Sequence, residues 1–224
     1  MEMLRMDHIT KIYPNGFVAN KDVTFAVNEG EIHSLVGENG AGKTTLMKIL
    51  FGMEDKQGGD IFIREQKVKI TSPLDAISKG VGMVHQHFML LNSLTVAENV
   101  VLGIEPMKNG LFDFEEAVVM TQKIADKYNF ALDARTRVKD LSVGQMQKVE
   151  ILKALIKGAR VLILDEPTAV LTPQETEELF EQLLLLREDG HAIIFISHKL
   201  EEVMRLCSRV TVLRHGYSQG TYDV

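Results

Sequence analysis

Apolar and polar residues alternate over residues 3 to 11 and 22 to 27, and a short apolar run follows at 31 to 36. This pattern predicts three strands, with turns at Pro14-Asn15-Gly16 and Asn28-Glu29-Gly30. A glycine-rich loop then leads into an apolar helix, Leu46 to Phe51. Gly58-Gly59 precedes two more predicted strands, Ile61 to Arg64 and Lys67 to Ile70. Ser72-Pro73 reads as an N-cap with proline at the first helical position, opening a helix to Lys79. Val81 to Val84 reads as a buried strand.

The period changes after that point. From Thr95 to Gly158 the spacing is helical, with helix starts at Thr95-x-x-Glu98, Asp113-x-x-Glu116 and Ser142-x-x-Gln145. Val149, Leu152, Leu155 and Ile156 keep helical spacing behind the last of these. Strands return at Val161 to Leu164, Ala192 to Ile196, Val210 to Arg214 and Tyr217 to Tyr222. Helices at Pro173 to Glu188 and Lys199 to Leu206 lie between them. The expectation is one α/β domain over 1–224, with a core of 1–87 and 159–224 interrupted by a helical subdomain, 88–158.

The chemistry starts in the glycine-rich loop. Gly37-x4-Gly42-Lys43-Thr44 is the spacing of a phosphate-binding loop, set between a strand and a helix. Without β-carbons, Gly37, Gly40 and Gly42 let the backbone curl so that its N–H groups, with those of Asn39 and Thr45, face phosphate oxygens. The helix that follows adds its free N–H groups and positive end. Lys43 is placed to reach β- and γ-phosphates, and Thr44 to hold Mg2+. The apolar run Val161 to Leu164 ends in Asp165-Glu166. A buried parallel strand with acids at its carboxyl end suits Asp165 as a support for Mg2+. Glu166 then suits the acceptor of a proton from an attacking water.

Composition narrows the setting. Apolar residues make up 45% of the 224, enough for a substantial core, and the net charge of −6 argues against a nucleic-acid partner. One cysteine, Cys207, excludes an internal disulfide and reads as a small buried hydrophobe. No apolar run is long enough to span a bilayer, and Met1 to Met6 is too short and charged for a signal peptide.

Three further stretches give the chain a resemblance to the ATPase subunit of ABC transporters, over essentially its whole length. Leu141-Ser142-Val143-Gly144-Gln145 resembles the family signature, usually Leu-Ser-Gly-Gly-Gln. Gln86 resembles the glutamine-loop residue and His198 the switch histidine. The resemblance implies a P-loop NTPase fold, with a RecA-like core, an antiparallel β subdomain and an inserted helical subdomain. It implies ATP as ligand, bound with Mg2+ between two cassettes facing head to tail. Ser142, Gly144 and Gln145 would then meet the γ-phosphate held by the opposite cassette, and His198 and Gln86 the γ-phosphate, Mg2+ or attacking water on their own side. Tyr13 takes the place of the aromatic that stacks on adenine, with Val18 padding the base. Expected partners are a second cassette, transmembrane permease subunits near Gln86 to Thr95 and, indirectly, a solute-binding protein. The expected place is the cytoplasmic face of the membrane, as a peripheral subunit.

Two departures from the family pattern stand out. Val143 replaces a glycine, and Thr172 replaces the aspartate of Ser-Ala-Leu-Asp. Thr172-Pro173-Gln174-Glu175 is nonetheless a well-formed helix start. His85 and His87 flank Gln86 on what reads as one strand face, but no further metal ligand is spaced nearby. Within the family, Val81 to Leu90 and Leu141 to Leu155 look most like simple-sugar or nucleoside importers. Their ATPases commonly carry two cassettes in one chain, so the stop at Val224 suggests a first cassette. Two other readings stay open: an ABC-type ATPase acting on ribosomes or DNA, disfavoured by the absence of basic runs, and a GTPase or kinase on the same loop. The nearest stretch to a guanine-reading Asn-Lys-x-Asp is Asn20-Lys21-Asp22-Val23, which lacks the final aspartate.

Overall fold

The computed structural model describes residues 1–86 and 88–224. Strands β1 (Glu2–Ile12) and β2 (Val18–Asn28) pair antiparallel, both longer than the alternation predicted. β3 (Ile32–Val36) is buried along its whole length and delivers the glycine-rich loop to α1 (Lys43–Leu50). The helix starts one turn earlier than its apolar residues suggested, because Lys43-Thr44-Thr45 form its first turn. β4 (Gly58–Ile63) and β5 (Gln66–Val68) form a hairpin, and α2 (Pro73–Ser78) is capped by Ser72 as expected. β6 (Val81–Val84) follows.

The stretch expected to be helical holds α3 (Val96–Val100), α4 (Phe114–Lys127) and α5 (Val143–Ile156). It also holds a hairpin that the periodicity did not predict, β7 (Met107–Lys108) with β8 (Leu111–Phe112). Asn109 and Gly110, at φ 54° and 80°, make its two-residue turn, the conformation Asn-Gly favours. The remaining elements are β9 (Val161–Asp165), α6 (Pro173–Glu188), β10 (Ala192–Ile196), α7 (Leu200–Leu206), β11 (Arg209–Arg214) and β12 (Tyr217–Asp223).

Two sheets organise the fold. The antiparallel one has the order β2-β1-β4-β5, and the larger one β12-β11-β3-β10-β9-β6, parallel except for β12. Successive side chains of a strand point to opposite faces. Accordingly Val161 and Ile163 join the core beneath α1 and the antiparallel sheet, while Leu162 and Leu164 join the core under α5 and α6. Burial on both faces explains why these strands read as unbroken apolar runs. Register aligns their ends: Ile196 lies opposite both Leu35 and Asp165, and Val84 opposite Leu164. The loops after β3, β6, β9 and β10 therefore leave one edge together, where ligands bind in open α/β sheets.

Candidate functional site

The loop after β3 is held from outside. Gly42 caps α1 in the left-handed region, at φ 102°, and no side chain satisfies the helix's first N–H groups. A β-carbon at Gly42 would lie 2.6 Å from Asn20 Nδ2 and closer still to the Ala19 carbonyl oxygen. One at Gly37 would run into the Leu213 carbonyl oxygen. Asn20, fully buried, donates from Nδ2 to the Gly42 carbonyl at 3.2 Å and so fastens the loop to β2. The cleft in front of the loop, about 580 Å³, is lined by Asn39 to Thr45, Asp165 and Glu166, with Phe17 and Ala19 at its side.

Lys43 folds back over its own loop, its ammonium donating to the carbonyls of Gly37 at 2.6 Å and Glu38 at 3.1 Å. Burial holds the ammonium below the usual lysine range, and the charges of Glu166 and Asp165 partly offset this. Asp165 is shifted the other way. Its burial, then the neighbouring Glu166 charge, raise it above the usual aspartate range against the pull of His85, Lys43 and Lys48. A cation bound in this cleft would reverse that shift. The oxygen atoms of Thr44 and Asp165 are of the hard donor type that Mg2+ takes. Among the described residues no cluster of three or more His, Cys, Asp or Glu could hold a metal ion by itself.

Glu166 has a left-handed backbone, φ 49°, fixed by its N–H bond to the Ile196 carbonyl at 3.0 Å. A non-glycine residue held there carries strain of the kind that gathers at functional positions. Its carboxylate meets His198 Nδ1 at 3.2 Å, so the residues after β9 and β10 touch. Glu202, on α7, secures the loops that carry them. One of its carboxylate oxygens accepts from Thr168 Oγ1 at 2.7 Å and Ser197 Oγ at 3.1 Å, and the other pairs with Lys199 at 2.9 Å.

Tyr13 and Val18 do not line the cleft. The Tyr13 hydroxyl lies near Glu54 (3.4 Å), with the Lys11 ammonium 5.0 Å from its ring centroid and the Phe17 ring 6.3 Å away at 26°. Val18 is half-buried and paired with Ile12, while the exposed Phe17 beside it lines the cleft. Gln86 is exposed just past β6. His87 lies outside the described residues, so the shared face expected of His85 and His87 is not described.

Ser142, Gly144 and Gln145 stand apart from this cleft, at the start of α5. Ser142 and Gln145 form a full capping box, with Gln145 N–H to Ser142 Oγ at 3.2 Å and Ser142 N–H to Gln145 Oε1 at 2.9 Å. Val143 occupies the first helical position with a helical backbone and 39% exposure, so the family glycine is not needed there for conformation. Ser142 Oγ and the Gly144 N–H both donate to Glu175 Oε1, each at 3.2 Å.

Four contributors escaped the sequence reading: Phe17, Asn20, Glu175 and Glu202. Glu175 was visible as the third residue of the Thr172 capping box, but its bonds to α5 are tertiary. Asn20 and Glu202 carry no local signal.

The sequence profile of the family described as ABC transporter matches residues 20–169. The glucose import ATP-binding protein TsgD13 of Haloferax volcanii is 48% identical, over 97% of this chain and 44% of its own length. The guanosine import ATP-binding protein NupO of Bacillus subtilis is 49% identical, over 99% of this chain and 43% of its own length. The chain thus spans less than half the length of the relatives it matches. Among solved structures, the ADP conformation of MJ1267, an ATP-binding cassette of an ABC transporter, superposes with a TM-score of 0.88 at 26% identity, covering 100% of this chain and 92% of that one. The post-hydrolysis dimer of the cassette MJ0796 bound to ADP and Pi gives 0.82 at 26% identity, covering 99% and 98%.

Proposed function

This chain belongs to the ABC transporter family, and on that footing we propose that it is the ATP-binding and hydrolysing cassette of an import system for a small solute, a sugar or a nucleoside. The observation that carries the proposal is the split of the functional groups. Lys43, Asp165, Glu166 and His198 gather where the parallel strands end, while Ser142 and Gly144 present a helix N-terminus elsewhere. A helix start of that kind, lacking a cleft of its own, completes a site on a second cassette.

In this reading the loop N–H groups and Lys43 hold the β- and γ-phosphates, and Lys43 exchanges its carbonyl partners for phosphate oxygens. Thr44, Asp165 and Gln86 would hold Mg2+, whose charge would offset that of the phosphates. Glu166 accepts a proton from water, and His198 orients the Glu166 carboxylate and senses the γ-phosphate. Phe17, stacked on Tyr13 and lining the cleft, offers the adenine a flat aromatic face.

The core of 1–87 and 159–224, with the inserted helical subdomain 88–158, belongs to the same proposal. A groove of about 630 Å³ beside Gln86, between the end of α1, β6 and α5, suits a permease segment. Phe51, Met83 and Met89 give it an apolar floor, with Glu150 and Lys153 at its rim. No described helix is long and apolar enough to cross a membrane. In this reading attachment to the cytoplasmic face runs through the permease, and the solute-binding protein is reached through it. The reading is tested by Glu166→Gln, which should keep ATP binding and nearly stop hydrolysis. Full turnover by that variant would remove Glu166 as the base.

A further inference from the structure

The start of α5 already holds an anion. Glu175, on α6, presents one carboxylate oxygen to both Ser142 Oγ and the Gly144 N–H at 3.2 Å. Its other oxygen accepts from the Thr172 N–H at 3.0 Å and Thr172 Oγ1 at 3.1 Å. The approach needs a glycine: a β-carbon at Gly144 would lie 2.6 to 2.8 Å from the Glu175 side chain. We propose that Glu175 is a positioning residue of the shared ATP site, holding Ser142 and Gly144 in the separate cassette and competing for them with the γ-phosphate on the facing cassette. The inference rests on the shared-site reading above.

Geometry supports exchange rather than a permanent bond. Charge-assisted bonds to a carboxylate usually measure about 2.7–2.9 Å from N–H and about 2.5–2.7 Å from O–H, so both contacts are long. A γ-phosphate brings more charge and more acceptor oxygens to the same donors. Two anions cannot share them without repulsion, so closure must push Glu175 aside. Its second oxygen ties that displacement to Thr172, six residues after Glu166 in the chain. Binding at the signature of one cassette thereby reaches the loop that carries its own base. The capping bonds to Thr172, first, and those to Gly144 and Ser142 keep the Glu175 carboxyl below the usual glutamate range, so it is ionised at neutral pH.

The test uses the 224-residue chain carrying Glu166→Gln, with ATP-driven self-association followed by sedimentation. Adding Glu175→Gln leaves one acceptor oxygen, which caps Thr172 or engages α5 but not both. Half-association should then need about three- to tenfold less ATP, the gain from losing a charge-assisted competitor. Glu175→Asp keeps the charge but is too short to span from Thr172 to Ser142, and should shift the midpoint the same way. Binding of ADP, which lacks the γ-phosphate, should not change in either variant. A midpoint that stays put or rises in both variants, with thermal unfolding unchanged, overturns the proposal. If the Glu166→Gln chain does not associate at saturating ATP, the shared-site reading fails first and this inference falls with it.

Discussion

Replacing Glu202 by alanine tests how the loops after β9 and β10 are held. The carboxylate accepts from Thr168 and Ser197, whose residues are 2% and 3% exposed, so both hydroxyls lose a buried partner. Each stranded buried hydroxyl costs about 1–3 kcal/mol. Lys199, partly exposed, turns to solvent and adds little. Ser197 Oγ retains the Lys199 N–H at 3.1 Å, so the lower part of the range applies, about 2–4 kcal/mol in all. For a chain of this length that lowers Tm by about 5–15 °C. Thr168 follows Glu166 by two residues and Ser197 precedes His198, so the Glu166–His198 contact loosens as well. A misplacement near 1 Å costs up to about 100-fold in rate, which should appear in kcat while the KM for ATP changes little. Glu202→Gln keeps one acceptor and should show about half the stability loss. Thermal melts and steady-state ATPase assays measure both effects. A Glu202→Ala chain melting within about 2 °C of the parent, with unchanged kcat, would refute the reasoning.

Other outcomes follow from the same geometry. Lys43→Ala should weaken ATP binding itself, read by nucleotide titration, because the buried ammonium faces the loop. Gly42→Ala combines a left-handed backbone with a clash against Ala19 and Asn20, and should cost about 2–4 kcal/mol in denaturant unfolding besides nucleotide affinity. Burial, above all, lowers the His191 pKa; the unfolded chain therefore binds more protons than the folded one below about pH 6.5, and stability falls as pH drops into that window. His191→Gln should flatten that part of the stability–pH profile. Burial pushes the Cys207 thiol up to about 12, so a maleimide should leave the folded chain unlabelled at neutral pH and react on unfolding.

Local chemistry explains how much of this was legible in the sequence. The helix starts at Ser72, Thr95, Asp113, Ser142 and Thr172 are set by side chains bonding to backbone within three residues, and each forms where its residues stand. The strands β6 and β10 end where their apolar runs end. The hairpin of β7 and β8 was missed although Asn109-Gly110 marks it, because two-residue strands are too short to show a period. The phosphate loop and Asp165-Glu166 were visible because each motif is contiguous. The Glu202 clamp, the Asn20 bond and the Glu175 contact join residues 22 to 34 positions apart, or, for Ser197 and Glu202, depend on which side chains the fold buries. Spacing does not encode such contacts. Phe17 lines the cleft just before β2, where the alternation has not yet begun to mark which side chains face which way.

The central claim is that a working site takes Lys43 from one cassette and Ser142 from another. Mixing two inactive variants tests it most directly. Lys43→Ala removes the phosphate grip, and Ser142→Arg blocks the facing helix start. A mixed pair contains one site with both groups intact, built from the Lys43 of one chain and the Ser142 of the other. ATPase activity should therefore be nearly absent in each variant alone and reappear on mixing, rising with total protein concentration. A mixture as inactive as its components would contradict the account.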